Sequence, residues 1–204
     1  MPPKAKFTKE EIIDAALSIA RKKGIEAVTA REIASVLGSS ARPIFTVFSS
    51  MEEVHTEVHN AAMRMFEEYT DKAADYTPIF KAIGIQMIKF AIEEPKLFSL
   101  LFMRENNEVR SVDDYMNNLG DIADMCIDTI QQDYKITEEE AQILFRQTWI
   151  FTFGICVLCV SGTCRFSDEE ITEMLGREFI SMIMLIKENK LDLCNIKPKK
   201  NSDQ

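Results

Sequence analysis

An all-α chain is predicted by three observations. Glycine and proline are scarce, seven and six among 204 residues, so the tight turns that join strands into sheets are few. Apolar residues recur at three- and four-residue spacing along most of the chain, the period of a helix with one buried face. Five Ser/Thr-x-x-Glu pairs, beginning at Thr8, Thr29, Ser50, Thr137 and Ser167, each precede such a stripe and mark helix starts. About nine helices are expected. A hydrophobic content of 46% supports a packed core and argues against global disorder.

The first helix is predicted from Lys9 to Lys23, capped by Thr8 and Glu11, with Ile12, Ile13, Ala16, Leu17, Ile19 and Ala20 inward. Gly24 ends it, and Arg21, Lys22 and Lys23 suit its negative end. The stretch Thr29–Phe48 then reads as helix, tight turn, helix. Thr29 and Glu32 start the second helix, with Ile33, Ala34, Val36 and Leu37 as its apolar face. Gly38 stops it, and Ser39 and Ser40 can cap a short third helix that turns Ile44, Phe45 and Phe48 inward. Two short helices about a glycine turn form the helix-turn-helix pattern, whose second helix can enter a DNA major groove. A structural corner with no ligand fits the same twenty residues.

Charge separates this head from the rest. Residues 1–50 hold eight basic and five acidic residues, net +3; the remainder holds sixteen and twenty-eight, net −12. One end of an otherwise acidic molecule can therefore meet phosphates. Residues 1–6 read as a flexible basic arm in which Lys4 and Lys6 could touch a DNA backbone.

A fourth helix is predicted from Met51 to about Asp71, started by Ser50 and Glu53 and buried through Val54, Val58, Ala61, Ala62, Met65, Phe66 and Tyr69. It begins beside the third helix and leads away from it, a natural lever. Residues 7–66 resemble the DNA-binding domain of TetR/AcrR-family transcriptional regulators. The resemblance rests on Ile12-Ile13-Asp14-Ala15-Ala16, Gly24, Thr29, Ile33-Ala34, Gly38-Ser39-Ser40, Ile44-Phe45, Phe48 and Ser50-Met51-Glu52. It departs at Phe45, Val47 and Met51, where the family commonly carries Tyr, His and Lys, so two polar phosphate contacts are missing.

The resemblance implies a head over 7–67, an effector-binding and dimerisation domain over 68–194, and a tail over 195–204 that should be disordered. It implies DNA contacts from Thr29, Arg31, Ser39, Ser40, Ala41, Arg42, Pro43, Phe45 and Thr46. Thr29 and Ser40 would meet phosphate, and Arg31 phosphate or a base edge. Arg42 and Thr46 would read bases, Arg42 through a bidentate pair to guanine.

Beyond Tyr76, helix five is expected to start at Thr77-Pro78, with Ile79, Phe80, Ile83, Met87, Phe90 and Ala91 inward. Glu94-Pro95 breaks it, as the family's ligand-binding domains often do at this point, and Lys96–Met103 forms helix six. Arg104–Arg110 reads as a loop. Helix seven starts at Ser111 and carries Tyr115, Leu119, Ile122, Met125, Cys126, Thr129 and Ile130. Helix eight runs from Glu138 to about Ser161 and helix nine from Asp168 to about Lys190. The wide apolar faces of these last two predict a homodimer through a four-helix bundle.

Met and aromatic side chains crowd helices five to eight. With the resemblance they imply a pocket for a hydrophobic small-molecule effector, formed by Met87, Phe90, Phe98, Phe102, Met116, Trp149 and Phe153. Phe153 stands where one branch of the family has His, and Gly154 would let another helix approach. Taken singly, these residues fit an ordinary core equally well.

Five cysteines without a secretory signal read as reduced thiols of a cytoplasmic protein. Cys156-Val157-Leu158-Cys159 has redox spacing but lies in an apolar helix, so buried structural thiols are expected and a thiol sensor stays as an alternative. No cofactor, metal site or membrane span is expected: His55 and His59 are a lone pair, and residues 149–164 are interrupted by polar groups. No phosphate loop or nucleophile elbow is present, which disfavours an enzyme. The expected partners are a double-stranded DNA operator, a hydrophobic effector and a second copy of the chain. A ligand-binding or scaffolding bundle with a degenerate head is the competing reading.

Overall fold

The computed structural model describes residues 6–76, 78–103, 111–117 and 119–191. Among them are nine α-helices and no strand. They are α1 (Lys9–Lys23), α2 (Ala30–Val36), α3 (Met51–Asp71), α4 (Ile79–Glu93), α5 (Pro95–Phe102), α6 (Val112–Asn117), α7 (Asp121–Tyr134), α8 (Glu138–Val160) and α9 (Asp168–Lys187). Single 3₁₀ turns lie at Ile25–Ala27, Ile44–Thr46 and Lys72–Asp75.

All five predicted starts hold a helix by the hydroxyl, which accepts from the backbone N–H three residues on. The reciprocal half of the capping box closes only at Thr8, Thr137 and Ser167. Glu32 turns instead to Lys23 Nζ at 2.8 Å, and Glu53 accepts from the Ser49 N–H at 2.7 Å. Both exceptions flank the turn segment, where competing donors are close at hand.

Two expectations fail locally. The third helix is one 3₁₀ turn, Ile44–Thr46. An α-helix here would place the Val47 N–H on the Pro43 carbonyl, but the Thr46 hydroxyl donates to that carbonyl at 2.6 Å, and Val47 N–H bonds to Ile44 instead. Pro43 has no N–H of its own to extend the ladder backwards. The single helix expected from Ser111 is two, α6 and α7, divided at Gly120, whose φ of 52° lies in the left-handed region that glycine enters cheaply. Arg104–Arg110, Thr77, Lys4 and the tail from Asn195 lie outside the described residues. Pro78 is the residue before α4 rather than its first turn.

The helix α4 is the hub, packing against α3, α5, α7, α8 and α9. Its residues Phe80, Ala82, Ile83, Gln86, Met87, Ile88, Phe90 and Ala91 are buried almost all round, as a central helix requires. Around it α8 and α9 pack together on one side, and α3 and α5 join the head on the other. The expected boundary at residue 67 falls within α3, and a continuous apolar core runs from Ile12 to Ile186.

The helix α8 is 23 residues long, and an 18-residue stretch of it has a mean hydropathy of 1.8, long and apolar enough to cross a membrane. No span is expected from the sequence, because Thr152, Ser161 and Thr163 interrupt residues 149–164; only Thr152 lies in α8, where it does not outweigh the apolar residues, and Ser161 and Thr163 lie beyond its end. Eight of its residues are buried against the hub and its neighbours, which accounts for the apolarity as core packing.

Candidate nucleic-acid interface

The head is three elements on one core. Ile12, Ala16 and Ile19 of α1, Ile33 and Ala34 of α2, Ile44 and Phe48 of the turn segment, and Val54 and Val58 of α3 are all buried. The end of α2 fixes where the turn begins. The Ser39 N–H bonds to the Ala34 carbonyl at 2.9 Å and the Gly38 N–H to the Ser35 carbonyl at 3.3 Å, the paired bonds of a Schellman close. Gly38 sits at φ 59° with open space around it.

From Ser39 to Phe48 only two side chains are fully buried, Ile44 at 1% exposure and Phe48 at 1%, with the half-buried Ala41 and Val47 packed against the same core. Ser40, Arg42, Phe45 and Thr46 are exposed, and Ser39, Ala41 and Pro43 are half-buried. Thr29 and Arg31, at the start of α2, are exposed as well. Of the nine residues expected to meet DNA, six are thus exposed, three are half-buried and none is buried. Phe45 was expected inward yet is 48% exposed, because the turn is too short to bring three apolar residues onto one side. Val36, also expected inward, is exposed on α2.

Electrostatics on the head leave some cations engaged and others not. Lys6 Nζ donates to Ser39 Oγ at 3.2 Å. Lys23 pairs with Glu32 and holds that carboxyl below its ordinary range. Lys9 pairs with Glu57 at 2.5 Å, which lowers the Glu57 carboxyl likewise. Arg42 has no ion pair or hydrogen bond among the described residues, so its five donors face solvent. His55 Nε2 lies 2.8 Å from the Val28 carbonyl, a structural tie between α3 and the segment before α2.

The joint behind the head is aromatic and ionic, and it takes up Phe90, Phe98 and Phe102, which were expected around an effector. Phe66 of α3 stands edge-on to Phe90 and Phe102, with centroids 5.4 and 5.0 Å away, and Tyr69 stands edge-on to Phe90 at 5.2 Å. Arg21 of α1 reaches the α4–α5 junction and binds Glu94 with both arms, Nε to Oε2 at 2.8 Å and Nη2 to Oε1. Glu94 is 8% exposed, and the two parallel bonds fix its plane. Tyr69 donates to Glu93; desolvation and then that bond push its hydroxyl up to about 12. A charged pair 73 residues apart in sequence leaves no local pattern, so spacing could not have found it.

The residues expected around an effector divide between three places. Met87 and Trp149 line a cavity of about 30 Å³ with Phe80, Lys81, Ile83, Gly84, Cys126, Thr148, Thr152, Leu175 and Phe179. Phe90, Phe98 and Phe102 belong to the joint, with Phe153 against Phe98 at 5.9 Å. Met116 faces a separate groove between α6, α7 and α8. Next to the cavity, Tyr115 Oη and Trp149 Nε1 are buried with no hydrogen-bond partner within bonding geometry; burial pushes the Tyr115 hydroxyl up, and the neighbouring indole tempers the shift. The thiols of Cys156 and Cys126 are buried, Cys126 pushed up by burial to about 12 and Cys156 further, so thiolate is scarce near neutral pH. Among the described residues no group of three or more His, Cys, Asp or Glu is placed to hold a metal.

Residues 12–58 match the family model described as bacterial regulatory proteins, tetR family. No curated protein matches the chain. The matched span begins in α1, takes in α2 and the exposed turn, and ends at Val58 of α3, so it covers the buried anchors and the outward edge together. The match gives residues 12–58 a TetR-type DNA-binding region and supports a TetR family transcriptional regulator.

Proposed function

We propose that the chain is a repressor that binds a palindromic operator as a homodimer and leaves it when a small hydrophobic molecule binds the body. The observation that carries this reading is the exposed edge of the turn, where Ser40, Arg42 and Thr46 stand outward on the Ile44 and Phe48 anchors. Ser40 and Thr29 meet phosphate, and Arg42 meets a guanine edge. Ile150, Gly154 and Leu158 form an outward row on α8, and Ile180 and Met184 one on α9. Open space surrounds Gly154, room for a partner helix. These rows support a two-fold partner, which sets two heads one helical turn of DNA apart.

The effector acts through the hub. At about 30 Å³ the interior cavity is far below the ~300–1,000 Å³ of ligand pockets. An effector that enters between α4, α7, α8 and α9 has to spread these helices. Because α4 ends at Glu94, such a spread pulls on Arg21 and on the head. The ligand achieves this only through tighter binding to the spread state.

Selection from random duplexes at rising salt, with sedimentation of the same protein, tests the reading. A palindrome with half-sites ~10 bp apart should be enriched. The double variant Ile180→Glu/Met184→Glu should sediment as a monomer and lose about 10²–10⁴-fold in operator affinity as the second head is lost. Duplexes recovered without sequence preference, and only at low salt, would instead favour the degenerate-head reading. The reduction of the third helix to one 3₁₀ turn is what keeps that second reading alive.

A further inference from the structure

We infer that the groove between α4 and the start of α9 is a binding site for a small amphiphilic carboxylate, shared with the interior cavity only at Lys81, which lines both, and independent of whether the head is on DNA. The groove has a volume of about 320 Å³, ten times that of the cavity and at the lower end of ligand-pocket sizes, ~300 Å³. Its two halves differ in chemistry. Pro78, Ala82 and Ile85 from the α4 side and Ile171 from α9 give it an apolar floor. Lys81, Gln86 and Lys89 supply the polar groups along α4.

Helical spacing explains the arrangement. Lys81, Ile85 and Lys89 are four apart, so they form one row with a methylene-lined step between two ammonium groups. Ala82 and Gln86 form the adjoining row. Neither ammonium has an ion pair or hydrogen bond among the described residues, and both side chains are half-buried. Lys81 is held in place by α9: a Cβ on Gly176 would lie 3.1 Å from its Nζ, so the missing side chain at Gly176 is where the ammonium rests.

Gln86 carries the argument from charge to ligand. It is 7% exposed, yet its carboxamide makes no hydrogen bond among the described residues. The carboxamide lines the groove beside two unpaired cations, where an amide so little exposed has few water partners to lose to a ligand. Lys81 and Lys89 are eight residues, about 12 Å, apart along α4, so a carboxylate accepts from Gln86 and Lys89, neighbours three apart, and its alkyl tail runs over the apolar floor toward Lys81. Asp168 and Thr172 stand on the opposite rim; Asp168 leaves the groove with two positive charges against one negative, so it trims the attraction for an anion and does not reverse it.

Calorimetric titration of the full chain without DNA tests the site, with octanoate as probe and acetate, octylamine and octanol as controls. Octanoate should fill one site per chain, and acetate and octanol should bind at least tenfold more weakly. The double variant Lys81→Met/Lys89→Met keeps the stems and removes both charges; it should weaken octanoate roughly tenfold or more while leaving octanol unchanged. If that variant unfolds, Lys89→Glu, altering one half-exposed position, should give the same loss. Octylamine binding as tightly as octanoate would overturn the site by making Asp168 its main contact. Octanoate binding unchanged in the charge variants would overturn it by placing the probe in the interior.

Discussion

The exposed turn and the joint that carries the head use the same side chain to opposite ends. In the turn, Phe48 is buried and Phe45, three residues earlier, is half in solvent. In the joint, Phe66, Phe90 and Phe98 are fully buried; Phe66 stands edge-on to Phe90 and Phe102, and Phe102 lies 5.0 Å from Phe98. The turn therefore rests on two fully buried anchors, whereas the joint is fixed from α3, α4 and α5 together. A segment with so few anchors can vary in sequence without unfolding the head, which suits a surface that reads sequence. A joint packed this densely transmits displacement, because rings at 5.0–5.4 Å cannot be pushed apart singly.

The sharpest way to break this contrast is Phe66→Ala. It empties the centre of the joint and should cost about 3–5 kcal/mol in urea unfolding; a loss below ~1 kcal/mol would mean the joint is loose. On the turn, Arg42→Ala should cost about 1–3 kcal/mol of operator affinity and relax preference at one base pair, with the unfolding midpoint unchanged. A uniform loss across all sequences would make Arg42 a phosphate contact.

Glu94→Gln tests the ionic half of the joint. Arg21 is half-exposed, so solvent screens the pair, and the expected loss is about 1–2 kcal/mol rather than that of a dry ion pair. The same variant should loosen the coupling between effector and operator. If a cycle with Arg21→Met shows no interaction energy, the latch carries nothing. Smallest of all, Phe45→Ala should leave stability within about 0.5 kcal/mol; a loss like that of a core phenylalanine would show Phe45 buried in solution.

Much of this was legible beforehand because it is local. Thr8, Thr137 and Ser167 start their helices with the carboxylate three residues on, and Gly38 closes α2 where a left-handed residue was needed. The exposed edge from Ser39 to Thr46 could also be placed, since the apolar residues on either side mark what lies beneath it. What failed were contests between near neighbours. Thr46 and a missing Pro43 N–H turned an expected helix into one 3₁₀ turn, and Gly120 divided an expected helix in two. Site residues fared unevenly for another reason. Met87 and Phe90 are one turn apart on α4, yet one lines the cavity and the other fills the joint, and only the partners on α3 and α8 separate them.

The division follows from range. Caps, stops and the period of each apolar stripe act over three or four residues, so the order of letters specifies them, and with them the helices and the outward edge of the head. Which buried side chains meet, that Arg21 would find Glu94, and that Lys81 would come to rest over Gly176 depend on helices distant in the chain being brought together. Packing density and charge pairing choose those partners, and both exist only once the helices share one core.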